Sequence, residues 1–163
     1  MYNAEHLALG VARKAPSMLI REAQLSDFNE VKRLYAQLNP DDPIVTDGRD
    51  EPVFQTIVDS EHLHLFVGEL DGRLVATCYV NFIPNITRNV SPYCIIENVV
   101  TEQELRNQGL GKAIIKHALD FAWKQGCYKV MLQTGSKRES THNFYKSCGF
   151  HADDKSAFVA RPA

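Results

Sequence analysis

The 163-residue sequence has no apolar run near the roughly 18 residues that cross a bilayer, so no membrane-spanning segment is predicted. It also lacks an excess of positive charge, because it has 18 Lys and Arg residues and 20 Asp and Glu residues. Nucleic acids and anionic membrane surfaces attract proteins through bulk positive charge, so neither is expected as a partner. The first residues carry Glu5, His6, Arg13 and Lys14 in place of an apolar segment, and a secretory signal is not expected.

Cysteine is scarce and scattered. The four cysteines, Cys78, Cys94, Cys127 and Cys148, form no Cys-x-x-Cys pair and have no histidine at a metal-ligand spacing. A zinc site and a disulfide framework are therefore not predicted, and we expect no metal. Reduced thiols are typical of a reducing compartment, which favours a cytoplasmic protein.

Apolar periodicity and turn residues predict strands and helices in the order β-α-α-β-β-β-α-β-α-β. Strands are expected at residues 18–23, 63–70, 74–83, 93–101 and 128–132, with a closing pair at 150–151 and 157–160. Helices are expected at residues 27–39, 51–58, 109–125 and 139–147. This order predicts one α/β (or α+β) domain over residues 18–163, a mixed sheet flanked by helices, with an extension or arm at residues 1–17.

The chain is organised around residues 106–112, called the glycine turn below, which follow an apolar strand and open an amphipathic helix. The first amides of a helix lack internal partners, and Gly109 and Gly111 would let a phosphate approach them closely. A P-loop is excluded because Ala113, rather than Ser or Thr, follows the lysine of the turn. A Rossmann fingerprint is excluded because Ile114 stands where its third glycine belongs. The turn therefore predicts an anion site of another kind.

Two motifs resemble those of the GNAT superfamily of acetyl-CoA-dependent N-acetyltransferases. Arg106-x-x-Gly109-x-Gly111 resembles its pyrophosphate motif, and Phe144-Tyr145-x-x-x-Gly149-Phe150 resembles its second signature. The resemblance covers residues 18–160. Glu97-Asn98 looks like the glucosamine-6-phosphate N-acetyltransferases, which usually carry Glu-Asp there. Lys137-Arg138 and the residues up to Tyr145 look more like a group that includes aminoalkylphosphonate acetyltransferases.

The resemblance implies a GNAT fold, in which a mostly antiparallel central sheet is split by a β-bulge. It also implies acetyl-CoA as co-substrate and a homodimer. Backbone groups of Val99, Val100 and Thr101 would pair with the pantetheine arm. The pyrophosphate would lie on the amides of Arg106, Asn107, Gln108, Gly109, Leu110, Gly111 and Lys112.

Three residues are candidates for the chemistry. Glu97 interrupts an apolar strand, where a carboxylate is costly to bury without a task, and could accept the amine proton; a structural ion pair is the alternative. Tyr145 could, by the same resemblance, protonate the departing thiolate, although an aromatic residue on a short helix is more often core. Asn98 could polarise or position the amine, or satisfy a bulge amide. The candidates for the acceptor side are Tyr35, Arg88 and Arg138, the two arginines for an anionic group.

The sequence thus predicts an N-acetyltransferase that moves acetyl from acetyl-CoA to the primary amine of a small molecule, by direct attack in a ternary complex. A catalytically silent acyl-CoA-binding or regulatory module on the same fold is one alternative. An acetyltransferase that acts on a protein N-terminus or lysine is another. Amino sugar phosphates, aminophosphonates, polyamines and aminoglycosides all remain open as acceptors.

Overall fold

Five strands form one sheet in the computed structural model, which describes residues 18–162. The strands are β1 (Leu19–Glu22), β2 (Leu63–Leu70), β3 (Arg73–Ile83), β4 (Tyr93–Thr101) and β5 (Val130–Leu132). The helices are α1 (Phe28–Leu38), α2 (Glu51–Val58), α3 (Leu110–Lys124) and α4 (Glu139–Ser147). The predicted order is confirmed from β1 to α4, although the observed ends of several elements differ from the predicted ones by a few residues. The extension expected at residues 1–17 lies outside the described residues.

The strands follow one another across the sheet in chain order, and β1 to β4 run antiparallel. A tight turn joins β2 to β3, because Asp71 (φ 51°) and Gly72 (φ 77°) both adopt the left-handed conformation that two-residue hairpins need. β5 instead lies parallel to β4, across the helical crossover of α3. The mixed, mostly antiparallel sheet flanked by helices is therefore confirmed.

Helices cover both faces of the sheet, and each face has its own apolar core. On one face, Ile114 of α3 shares a buried cluster with Phe66 and Ile96, and side chains of α4 pack against it. On the other face, Leu34 of α1 shares a cluster with Val67 and with part of α2. In the part of the chain that the structure describes, no helix is long and apolar enough to cross a membrane.

A bulge interrupts the pairing of β4 with β3. Tyr79 pairs with Glu97 and Thr77 pairs with Val100, so residues 98–99 of β4 together oppose a single residue of β3. The bulge that the resemblance implied is therefore present, and its position is now fixed to two residues.

The extra residue changes which face the side chains of β4 occupy. Cys94 and Ile96 lie in the α3 cluster, and alternation in a regular strand would put Val100 there too. Val100 instead lies in the cluster beneath α1 and α2, while Val99 packs against the α3 cluster. The bulge therefore turns over the end of β4, as a register shift of one residue must.

The closing strand pair expected at residues 150–151 and 157–160 is wrong. Residues 150–162 contain no strand, and every one of them from residue 151 onward is exposed. Phe158 is 92% exposed and Val159 is 63% exposed. The apolar composition suits a strand, but a strand also needs a partner edge for its backbone groups, and neither segment pairs with one in the described chain.

Candidate active site

The sheet opens between β4 and β5. Residues 94–96 of β4 pair with β5, and the pairing stops immediately before Glu97. A cavity of ≈ 210 Å³ lies at this opening. Its walls are residues 96–99 of β4, residues 132–135 at the end of β5, Leu38 and Asn39 at the end of α1, and Tyr145 of α4. Strands that part in this way leave backbone N–H and C=O groups that an extended ligand can pair with.

Glu97 stands where the two strands part, one residue before the bulge. The residue is exposed, so the burial expected from its apolar strand is wrong. The opening itself is the reason, because Glu97 lines the cavity and has no neighbouring strand against it on the β5 side. Among the ion pairs of residues 18–162, none includes Glu97, so the structural alternative finds no partner there.

Tyr145 lines the same cavity from α4. Its ring packs near Phe144 and Phe150, with ring centroids 5.1 and 6.2 Å away. Burial raises the pKa of its phenol, and the Glu97 carboxylate is among the neighbours that raise it further. A phenol with a raised pKa stays protonated at neutral pH, so Tyr145 can donate a proton there. The Tyr145 side chain therefore packs against the apolar core and also lines the cavity.

Asn98 forms the bulge with a left-handed backbone at φ 49°. Asparagine adopts this conformation more readily than most residues that carry a side chain. Thr77 supports it from β3, because its hydroxyl donates to the Asn98 carbonyl at 3.1 Å. Burial raises the pKa of the Tyr35 phenol to about 12, and the neighbouring side chains of Asn98 and Thr77 act in the opposite direction. Tyr35 of α1 therefore lies beside the bulge.

The glycine turn follows β4 and opens α3, as the sequence predicts. Gly109 is left-handed at φ 83°, and Ala113 N–H donates to the Gly109 carbonyl at 2.9 Å. The amides of residues 110–112 precede that hydrogen bond and have no partner within the helix. Arg106 Nε donates to the Thr101 carbonyl at 3.2 Å, which ties the turn to the end of β4. These amides and the positive end of the helix dipole can hold an anion.

The two glycines of the turn serve different purposes. A Cβ on Gly109 would meet nothing within 4 Å, so glycine is needed there for its backbone conformation. A Cβ on Gly111 would lie 2.9 Å from Thr101 Oγ1 and 3.3 Å from Phe144 Cζ. Glycine at 111 therefore lets α3 pack closely against β4 and α4. Access of a phosphate to the Gly111 amide, expected from the sequence, stays a prediction.

The three acceptor-side candidates do not line the cavity in the described chain. Tyr35 lies at the bulge, as above. Arg88 lies in the loop between β3 and β4, with its guanidinium carbon 6.0 Å from the centre of the Tyr128 ring. Arg138 is the N-cap of α4, three residues after Gly135 of the cavity wall. Contact of these residues with an acceptor stays a prediction.

Sequence reasoning missed two parts of the cavity wall. Residues 133–135 follow β5, and a general signal could have found them, since ligands often bind beyond the carboxyl ends of parallel strands. Leu38 and Asn39 had no such signal. Their place in the wall depends on how the end of α1 lies across the sheet, which local sequence does not encode.

Comparison with known proteins agrees with this geometry. Residues 10–150 match the model of the acetyltransferase (GNAT) family. The glucosamine 6-phosphate N-acetyltransferase of Trypanosoma brucei brucei is 33% identical over 91 residues, which are 56% of this chain and 60% of that protein. The chain thus spans less than two thirds of the length of that curated relative.

Solved structures match over more of the chain. A structure from Agrobacterium tumefaciens str. C58 is 39% identical with a TM-score of 0.84, covering 88% of this chain and 99% of that one. The crystal structure of glucosamine-6-phosphate N-acetyltransferase from Arabidopsis thaliana is 27% identical with a TM-score of 0.76, covering 90% and 98%. With the family model matching most of its length and the glycine turn opening α3, this chain belongs to the GNAT family of acetyltransferases.

Proposed function

We propose that this protein is an N-acetyltransferase that moves acetyl from acetyl-CoA to the primary amine of a small molecule. The observation that carries the proposal is the arrangement at the parting of β4 and β5. Glu97 and Tyr145 line one cavity there, and the glycine turn follows the end of β4 after one short 3-10 helix (Gln103–Leu105). One cavity therefore holds a candidate proton acceptor and a candidate proton donor, and a candidate anion site follows the strand that carries the acceptor.

In this proposal the coenzyme lies along the end of β4. Backbone groups of Val99, Val100 and Thr101 pair with the pantetheine arm as an added strand would. The pyrophosphate lies on amides of residues 106–112, at the N-terminus of α3. The end of the β4–β5 pairing at Ile96 supports this placement, because it frees the edge that the arm would use.

Transfer is direct and takes place in a ternary complex. The amine nitrogen attacks the thioester carbonyl carbon, so that a C–N bond forms and the C–S bond breaks. The nitrogen gives its proton to Glu97, directly or through water, and Tyr145 protonates the departing CoA thiolate. The amide of Val99 or Val100 stabilises the oxyanion. Cys94 offers no acyl-enzyme route, because burial raises the pKa of its thiol to about 12.

Glucosamine 6-phosphate is the first acceptor to test, because relatives that carry this substrate in their names match the chain. Two observations are reasons to test other amines as acceptors as well. Asn98 stands where those enzymes usually carry Asp. Within residues 18–162, no Lys or Arg side chain lines the cavity, so a phosphate would have to reach Arg138 or Arg88.

Release of free CoA thiol from acetyl-CoA tests the proposal. The acceptors are glucosamine 6-phosphate, an aminoalkylphosphonate, a polyamine and an aminoglycoside, with calorimetry of CoA binding alongside. We expect turnover with at least one of them and none without an amine. CoA binding without turnover on any amine would overturn the proposal in favour of a silent module. Turnover on a peptide N-terminus or lysine alone would favour a protein acetyltransferase.

We also propose a homodimer in a reducing, cytoplasmic location. The dimer rests on the family resemblance, and the location is supported by the four unpaired cysteines. Static light scattering should give twice the monomer mass of 18.4 kDa. A monomer mass at working concentrations would contradict the dimer.

A further inference from the structure

Glu102 is a buried carboxylate at the point where the chain leaves β4 for the glycine turn. The residue is 5% exposed. Its Oε2 pairs with Arg33 of α1 and, at 3.1 Å, with Nη2 of Arg73 at the start of β3. Its Oε1 accepts a hydrogen bond from Gln37 Nε2 at 2.8 Å. Burying a carboxylate is costly unless its oxygens are paired, and both oxygens are paired here.

Gln37 of α1 extends this contact to the next residue of the chain. Its Oε1 accepts the backbone N–H of Gln103 at 2.9 Å, while its Nε2 donates to Glu102. The Glu102 N–H donates in turn to the Val75 carbonyl of β3 at 2.8 Å. The first two residues after β4 are therefore fixed to both α1 and β3.

Arg33 completes the arrangement, which is called the Glu102 cluster below (Arg33, Gln37, Arg73 and Glu102). Its Nη2 donates to the Leu74 carbonyl at 2.7 Å. It also pairs with Glu30 one helical turn earlier, at 3.2 Å. Burial alone would raise the pKa of Glu102, but hydrogen bonds from Arg33 and Gln37 outweigh it and lower the pKa. The carboxylate is therefore charged at neutral pH.

From this arrangement we propose that Glu102 and Gln37 are positioning residues for coenzyme binding. They fix the place where the chain leaves β4, and so where the glycine turn presents its amides four residues later. Gln37 also immediately precedes Leu38 and Asn39 of the cavity wall, so the cluster connects the entry to the glycine turn with the wall of the cavity. The inference rests on the proposed function.

The test measures CoA affinity by calorimetry and the kinetics with acetyl-CoA for Glu102→Gln and Gln37→Ala. A displaced turn holds the pyrophosphate less well, so the Kd of CoA and the KM for acetyl-CoA should both rise, about tenfold for Glu102→Gln and several-fold for Gln37→Ala. The kcat at saturating acetyl-CoA should stay within about twofold, since neither residue touches the reacting atoms. Glu30→Gln is the matched control: it removes the other carboxylate of Arg33, leaves Glu102 in place, and should change neither constant.

A purely structural role gives the opposite pattern and would overturn the proposal. The active fraction would fall, so kcat would drop while the KM for acetyl-CoA and the Kd of CoA stayed unchanged. Gln37→Ala leaves all the ion pairs intact, so it decides the matter if Glu102→Gln fails to fold. Wild-type protein that does not bind CoA would refute the proposed function itself. Wild-type binding with unchanged affinity in both variants would refute only the positioning role.

Discussion

Asp27 is a buried carboxylate that ties the entry to α1 to the neighbouring strand β1. Its carboxylate accepts hydrogen bonds from Arg21 Nη1 at 2.6 Å and from the Gln24 N–H at 2.7 Å, and its side chain is 10% exposed. The hydrogen bond from Arg21 lowers the pKa of Asp27, against burial that would raise it. Arg21 also pairs with Glu69, so one ion-pair network joins β1, β2 and the entry to α1.

Asp27 should make the free energy of unfolding depend on pH in acid. Its folded pKa lies below the unfolded value of about 3.9, so its contribution is complete above that value and is lost as pH falls through the folded pKa. Asp27→Asn should cost about 2 kcal/mol near neutral pH and progressively less in acid, as measured by urea unfolding. Asp120→Asn, which breaks an exposed pair with Lys116, is the control and should cost little at any pH. A loss for Asp27→Asn that stays constant with pH would contradict this account.

Substitution of Tyr145 tests its proposed role as proton donor. Tyr145→Phe keeps the ring that packs near Phe144 and Phe150 but removes the proposed proton donor, so kcat should fall about 10²-fold while the Kd of CoA is unchanged. Because burial raises the pKa of the phenol, its deprotonation should not slow the wild-type enzyme below about pH 10. Steady-state rates across the alkaline range measure this. Tyr128→Phe on the exposed surface is the control, and an equal loss there would remove the special role of Tyr145.

At the scale of elements, some features of β4 could be predicted from the local sequence and others could not. Its apolar residues predicted the strand, and the spacing of glycines after it predicted the turn. The exposure of Glu97 could not be predicted from the strand pattern, because it depends on β5 ending at Leu132. The pairing of Glu102 with Arg33 could not be predicted either, because the two residues are 69 positions apart in the chain. The strands expected after α4 fail for the same reason, since an edge to pair with is a property of the whole sheet.

The β4 bulge should depend on the backbone of residue 98 more than on its side chain. Asn98→Gly keeps access to φ 49°, so kcat should stay within about threefold of wild type. In Asn98→Val a β-branched residue must adopt that conformation, at a cost of roughly 1–2 kcal/mol in stability, and kcat should fall with it. Thermal unfolding and turnover of both variants measure this. If Asn98→Gly loses as much activity as Asn98→Val, the amide takes part in the chemistry, the alternative that the sequence left open.

At the scale of the whole molecule, the candidate site lies where the two helical layers meet. α4 brings Tyr145 from one face, and the end of α1 brings Leu38 and Asn39 from the other. Next to the cavity, the bulge turns over the end of β4, so Val99 packs against the α3 cluster and Val100 lies in the cluster beneath α1 and α2. Under the proposed function, the two substrates would contact different layers, with β4 between them.

In a single chain, the segment after α4 should contribute little to the stability of the fold or to coenzyme binding. From residue 151 onward the described residues are all exposed, Phe158 by 92%, so they remove little apolar surface from water. Deleting the chain from residue 152 onward should shift Tm by no more than about 2 °C and leave the Kd of CoA unchanged, as checked by thermal unfolding and calorimetry. Phe158→Ser in the full chain should be equally neutral. A loss of several degrees, or of the proposed dimer in light scattering, would contradict this and mean that a second copy covers Phe158 and Val159.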